Sequence, residues 1–312
     1  MVKIGLVDID VSHPQAFAGK MEELSIPMGY THICNYGFRE KDEVEAFAAA
    51  CGAKVVDAIE DMVDEVDVGF VQGCNWDKHL PYAMPFINAG KPVFIDKPLV
   101  GSVADVKKVR ALAEGGARIY GSSSMRYAQE ILDFLAMPVE ERGEILNVFS
   151  SVGVDEFNYA IHAVEIVCAV AGAKAVSCRF AGKSAKIDGC YTETFVVEFE
   201  NGVSGTYVTT DGIWLPFGVS IVTSKNSYSF PLDALAAFGT MLSNIEAAVS
   251  SRENVLATMD TVTDSTLIML AGKLSRERGG EVVKLSELPE DLSFDGAEFE
   301  RGYAARASKI YL

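Results

Sequence analysis

Apolar positions in the first 121 residues follow two alternating periods. Short runs rich in Val, Ile and Gly read as buried strands at Val2–Val7, Tyr30–Asn35, Val68–Gln72, Pro92–Ile95 and Arg118–Gly121. Between them, Pro14–Leu24, Glu40–Cys51, Ala58–Val63, Lys78–Ala89 and Val103–Glu114 carry apolar residues at helical spacing. Ser12 ahead of Pro14 suits an N-cap, Ser102 with Asp105 forms a capping-box pattern, and Gly52 and Gly90 suit helix ends. Such alternation predicts an α/β fold, with a doubly wound parallel sheet that receives its ligand at the carboxyl ends of the strands. Beyond Glu144 the rhythm changes: a strand at Leu146–Val152 and a helix at Phe157–Val170 precede strands at Ala175–Phe180, Thr192–Glu198, Val203–Thr210, Val219–Thr223 and Ser227–Phe230. Asn201-Gly202 between two of these is a hairpin signal. Two domains follow, residues 1–121 and 122–312.

Composition narrows the function classes. The chain has 312 residues, 49% hydrophobic and 23% charged, enough to build packed cores. Its 27 basic and 44 acidic residues give a net charge of −17, which repels nucleic acid and anionic membrane surfaces. No apolar stretch reaches spanning length, and the acidic start is unlike a signal peptide, so a soluble, cytoplasmic protein is expected. The six cysteines form no CxxC pair and read as reduced, buried residues, and no metal is expected.

After the first strand, a dinucleotide-binding sheet carries G-x-G-x-x-G, whose glycines admit a pyrophosphate to a helix N-terminus. Here the turn reads Asp8-Ile9-Asp10-Val11-Ser12-His13, so every one of those glycines is replaced. A carboxylate at Asp8 or Asp10 would compete with a phosphate for the positive end of that helix. The acid that holds the ribose hydroxyls is replaced by Asn35, which hydrogen-bonds without charge, and Arg39 is a candidate for a 2′-phosphate.

The string Gly90-Lys91-Pro92-Val93-Phe94-Ile95-Asp96-Lys97-Pro98-Leu99 is the most specific in the chain. It resembles the G-K-x-V-x-x-E-K-P-L signature of the glucose-fructose oxidoreductase/inositol dehydrogenase/MocA (Gfo/Idh/MocA) family. The order of further features matches: Asn75 and His79, then Ser124-Met125-Arg126-Tyr127, an H-x-x-[DE] helix, and a closing pattern of two helices and a Val-rich strand from Phe238 to Leu285. The resemblance implies an N-terminal Rossmann domain and a C-terminal α/β domain with a large, mostly antiparallel open sheet that mediates a homodimer or homotetramer. It also implies NAD or NADP as cofactor and a small-molecule substrate such as a sugar, cyclitol or related polyol.

Carried over residue by residue, the family's catalytic lysine and histidine fall on Lys97 and His162, and its aspartate falls on Asn158. The resemblance places the cofactor along Val7, Ile9, Asp10, Ser12 and His13, Asn35, Gly73, Cys74, Asn75 and His79, Asp96 and Lys97, and Arg126. It places the substrate against Lys97, Asn158 and His162; Arg126 at the domain junction either faces an anionic substrate or pairs structurally with an acid, and Tyr159, Trp214 and Tyr191 are candidates by polarity and location. On one helix, Asn158, His162 and Glu165 stack an amide, an imidazole and a carboxylate along one ridge. A neutral imidazole suits removal of a hydroxyl proton, and a lysine suits stabilisation of alkoxide charge. The leading expectation is hydride transfer between a nicotinamide and a polyol. Two alternatives stand beside it: a lyase or hydrolase with a tightly bound, recycled nicotinamide, and a non-catalytic metabolite-binding protein. The acidic tail Glu287–Glu300 is expected to wrap the surface.

Overall fold

The computed structural model describes residues 1–121, 123–210 and 212–310, with side chains through 307. The first sheet is built from β1 (Val2–Val7), β2 (Met28–Cys34), β3 (Lys54–Val56), β4 (Val68–Val71), β5 (Val93–Ile95) and β6 (Ile119–Gly121), all parallel, in the order β3-β2-β1-β4-β5-β6. The helices that connect them are α1 (His13–Glu23), α2 (Lys41–Cys51), α3 (Glu60–Val63), α4 (Trp76–Asn88) and α5 (Val103–Glu114). Strand order reverses between β1 and β4, so their carboxyl ends diverge and open a crevice. The expected strands and helices of this half are present to within a few residues. Three-residue β3 escapes periodicity because only Val56 among its side chains is buried.

After a 3-10 turn at Ser124–Tyr127 come α6 (Gln129–Ala136), α7 (Val139–Arg142), β7 (Ile145–Val152) and α8 (Ala160–Ala171). The second sheet continues with β8 (Ala175–Lys183), β9 (Thr192–Phe199), β10 (Ser204–Thr210), β11 (Gly218–Thr223) and β12 (Ser227–Pro231). The chain closes with α9 (Ala234–Val249), α10 (Met259–Glu277), β13 (Val283–Lys284) and α11 (Gly296–Ile310). This sheet is ordered β12-β11-β7-β10-β9-β8-β13 and is antiparallel except where β10 runs beside β7. Its inner positions, among them Val148, Val197, Phe195 and Tyr207, pack with the almost wholly buried α8 and with α10. The Asn201-Gly202 hairpin forms as expected, with Gly202 in the left-handed region at φ 82°. The late helices also serve the first sheet. Met241, Leu242 and Ile245 of α9 pack among the residues of β1 and β2, and Val262 and Leu270 of α10 join the core under β4 and β5.

Three local expectations are corrected. Ser12 precedes α1 in helical conformation and makes no side-chain cap, because Pro14 sets the helix start. The acidic tail Glu287–Glu300 runs into a helix that the sequence reading lacked: residues 296–310 form α11, where Phe299, Tyr303 and Ala307 recur at helical spacing and Phe299 packs on Trp76. Arg126, expected at the ligand, is buried and ion-paired with Glu165 at 2.5 Å, and Glu165 also accepts a hydrogen bond from Ser265. That triad ties the 3-10 turn to α8 and α10. Among the described residues no helix is long and apolar enough to cross a membrane.

The turn from β1 to α1 shapes the crevice. Asp8 adopts φ 66°, a conformation that Asp and Asn tolerate better than most residues, and its carboxylate accepts bonds from the amides of Tyr36 (2.6 Å) and Gly37 (2.9 Å). Asp10 accepts from the amides of Phe38 (3.1 Å) and Cys74 (3.3 Å). Burial, then the neighbouring Asp10 charge, pushes the Asp8 carboxyl up to about 7, against the pull of its two amides. A carboxyl raised above its unfolded value contributes stability below about pH 4 and loses it as pH rises through about 7. Asp8→Asn keeps the backbone conformation and an acceptor while removing the charge. Its melting temperature at about pH 8 should therefore exceed that of the parent by at least about 2 °C, roughly the shift that 1 kcal/mol produces in a large domain. The difference should vanish near pH 4; a lower melting temperature at pH 8 would contradict the assignment.

Candidate active site

Two adjoining cavities straddle the N-terminus of α1 in the crevice. The larger, about 340 Å3, is lined by Val11, Ser12 and His13 of the turn, Gly73 and Cys74 after β4, Lys97 after β5, Val154, Asp155, Asn158 and Tyr159 ahead of α8, and Tyr303, Arg306 and Ala307 of α11. The smaller, about 230 Å3, is lined by Ile9, Val11, Ser12, Gln15, Arg39 and Glu43. Both sheets and the last helix thus contribute to one space.

Lys97 is the chemical centre of the larger cavity. Its Nζ donates to Asn158 Oδ1 (2.9 Å) and to the Asn158 carbonyl (3.1 Å), and lies 5.3 Å from the centre of the Tyr159 ring. Burial lowers its pKa, opposed by the charges of Asp96 and Asp155. Asp155 was not foreseen. It accepts from the amides of Phe157 (3.1 Å) and Tyr159 (2.9 Å), stands 3.4 Å from Asn158 Nδ2, and supplies negative charge to a site where the family pattern's aspartate has become Asn158. Its position three residues ahead of Asn158, before a helix, was the available signal.

Behind Lys97 lies Asp96. One carboxylate oxygen takes the Lys97 amide at 2.7 Å, and the other meets His13 Nδ1 at 2.6 Å and Gln72 Nε2 at 3.3 Å. Burial opposes its charge, but the imidazole of His13, its hydrogen bond and the Lys97 charge outweigh that, holding the carboxyl down at about 2. The His13 ring stacks on Phe17 with 5.5 Å between centroids and meets the edge of Phe238 at 5.4 Å.

The remaining candidates separate by position. His162 is buried outside the cavity lining: Nδ1 pairs with Ser123 Oγ at 2.6 Å, and the ring packs edge-on against Phe217. Burial, reinforced by the Lys97 and His13 charges, lowers its pKa far below the ordinary imidazole value. The ridge Asn158–His162–Glu165 therefore does not act as a unit, since Asn158 alone reaches the cavity wall. His79 has Nε2 on the Gly73 carbonyl (2.8 Å) and Nδ1 on that of Leu99 (3.2 Å), clamping two strand ends together. Asn75 caps α4 and bonds Glu300 of α11. Asn35 is spent within its own loop, accepting from the Ile9 amide and reaching the carbonyls of Gly37 and Arg39. Val7 is core, Trp214 is 65% exposed, and Tyr191 sits beneath the Lys183 ammonium; none of the three lines either cavity. Ligand atoms of Asp10, Cys74 and Glu300 lie within 4.8 Å of one another, but Lys78 already occupies Glu300.

The residues present fit a nicotinamide dinucleotide along its nicotinamide and phosphate portions. Asp8 and Asp10, expected to oppose a phosphate, are turned beneath the groove onto backbone amides and line neither cavity. The path over the α1 N-terminus stays open, and the helix dipole there favours an anion. Arg39, which donates to the Asp10 carbonyl at 2.9 Å, lines the far cavity. The adenosine end differs, because Asp8, Asp10 and Asn35 knit the β2 loop to the turn.

Residues 30–122 match the model of an oxidoreductase family with an NAD-binding Rossmann fold, Gfo/Idh/MocA; the match begins beyond the altered turn. An inositol 2-dehydrogenase from Gluconacetobacter diazotrophicus is 33% identical over 88 residues, which span 27% of this chain and 26% of that protein. A probable dehydrogenase from Thermotoga maritima superposes with a TM-score of 0.78 at 14% identity, covering 92% of this chain and all of that one. A myo-inositol dehydrogenase from Lactobacillus casei, solved with NAD(H) and myo-inositol, gives 0.77 at 14% identity over 91% of this chain and 96% of its own. The two superpositions establish the fold, and the first-domain match coincides with the Gly90–Leu99 string. Residues 30–122 are thus similar to the NAD-binding domain of the Gfo/Idh/MocA oxidoreductases, and the chain as a whole shares the fold of these dehydrogenases.

Proposed function

We propose that this protein is an NAD(P)-dependent oxidoreductase acting on a small polyhydroxylated substrate, a cyclitol or sugar, in the larger cavity. The observation that carries the reading is Lys97: a half-buried ammonium at the strand-order reversal, held by Asn158, on the wall of a space of small-molecule size. Such a group donates a hydrogen bond to a carbinol or carbonyl oxygen and stabilises the charge that develops there. Asn158 fixes the direction of the ammonium, and Asp155 and Tyr159 offer an acceptor and a ring edge to neighbouring hydroxyls. Val11, Ser12, Gly73 and Cys74 would hold the cofactor near α1, with Arg39 toward its far end. When bound, the nicotinamide supplies the site for hydride exchange with the substrate's carbinol carbon. Inositols enter the reading from the substrates named for the relatives. The outer face of the second sheet, where Phe149 and Val222 are 38% and 45% exposed, supports self-association through that sheet.

Titration of the purified chain with NADH and NADPH, read by nicotinamide fluorescence, tests cofactor use. Saturable binding of one or both below about 1 mM is expected, and no binding to either would reject the reading. Lys97→Met should lower kcat on myo-inositol or scyllo-inositol by about 100-fold or more while changing dinucleotide affinity only slightly. An unchanged kcat would remove Lys97 from the chemistry.

A further inference from the structure

We infer that His13, held by Asp96, is the group that takes the substrate's hydroxyl proton, and that His162 is a positioning residue. This inference rests on the oxidoreductase reading above and assigns the proton path within it. Three observations converge on His13. It lines the larger cavity together with Lys97, whereas His162 does not. Its Nδ1 lies 2.6 Å from a carboxylate that is itself 3% exposed, and an ionised carboxylate fixes the proton of a neutral imidazole on that nitrogen. Nε2 then carries the lone pair. The ring is clamped between Phe17 and Phe238, so its plane is set by packing.

His162 has the opposite surroundings. It is 6% exposed, its Nδ1 is engaged by Ser123, and it supports Tyr159 edge-on at 5.7 Å between ring centroids. A proton delivered there would create a buried imidazolium in the field of the Lys97 ammonium, and burial and that charge together outweigh the opposing pull of Asp96. A proton on His13 instead completes an ion pair with Asp96. The sequence contained both halves of this pair, yet they lie 83 positions apart, and the first occupies a place where a glycine was the reference.

In the oxidation direction, the carbinol O–H bond breaks and its proton passes to Nε2 of His13. The O–H electron pair would become the second C–O bond, and the hydride of the same carbon would be taken up by an oxidised nicotinamide held by Val11, Ser12, Gly73 and Cys74. Lys97 keeps its protons and holds the oxygen throughout. Among the described residues, the titratable or charged groups that line this cavity with His13 and Lys97 are Cys74, Asp155, Tyr159, Tyr303 and Arg306, with Asp96 behind His13.

The test compares H13Q, D96N and H162Q with the parent, each as the full chain, by NADH titration and by oxidation of myo-inositol with NAD+ from about pH 6 to pH 9. H13Q should lose about 100-fold in kcat and change the pH dependence of kcat/KM, D96N should also lose activity, and both should bind NADH within about threefold of the parent. H162Q should keep the parent's pH dependence and more than a tenth of its activity. A changed pH dependence and a 100-fold loss in H162Q, with neither in H13Q, would overturn the inference. Carbethoxylation with diethyl pyrocarbonate, mapped by mass spectrometry, gives a readout independent of turnover: His13 should be modified at least about tenfold faster than His162. Equal rates, or faster labelling of His162, would overturn the assignment even if myo-inositol is not the substrate. Failure of the parent to bind NADH or NADPH would instead count against the oxidoreductase reading.

Discussion

A single buried carboxylate sets the geometry of the crevice. Asp96 ends β5, and its two oxygens collect the Lys97 amide, His13 Nδ1 and Gln72 Nε2, while Gln72 in turn accepts from Tyr30 at 2.8 Å. Strands β2, β4 and β5 and the start of α1 are thereby joined through one charge. Burying an ionised carboxylate without partners is prohibitive, so the charge and its donors require one another. Lys97 leaves the strand end in a fixed direction as a result, and His13 faces the same cavity from the other side of the switch point.

That constraint explains how the turn after β1 tolerates the loss of its glycines. His13 stands where a glycine would normally let a phosphate approach, and Asp96 draws its ring aside. Asp8 and Asp10 are likewise drawn aside by the amides of Tyr36, Gly37, Phe38 and Cys74. Three side chains that look obstructive in the sequence are each turned away from the phosphate path by a local partner. Gly37 allows this closeness, since a Cβ there would lie 1.9 Å from an Asp10 oxygen. The crevice has kept its opening while changing its chemistry.

Much of this architecture was legible in the sequence because it depends on local periodicity. The strands of the first sheet, the start of α5 at Ser102 with Asp105, the Asn201-Gly202 hairpin and the Gly90–Leu99 string are all decided within a few residues. Lys97 and Asn158 were brought together by the family resemblance, and they are hydrogen-bonded. What was not legible depended on long-range pairing. Sequence left Arg126 open between an acid and an anionic ligand, and the acid is Glu165; the enclosure of His162 by Ser123 and Phe217 likewise depends on residues distant in the chain. The contribution of α11 was hidden for a related reason: the chain just ahead of it is acidic, and the face that brings Tyr303 to the cavity has only three members, Phe299, Tyr303 and Ala307.

The ionisation of Asp96 can be measured directly. With 13C-labelled aspartate, its carboxyl carbon, assigned by its absence in Asp96→Asn, can be followed by NMR as the pH is lowered from about 7. The carboxyl is held at about 2, so the signal should stay at its ionised position down to about pH 4. A midpoint at or above about pH 4 would mean that His13 and Lys97 do not stabilise this charge, and would contradict the arrangement from which the site is built.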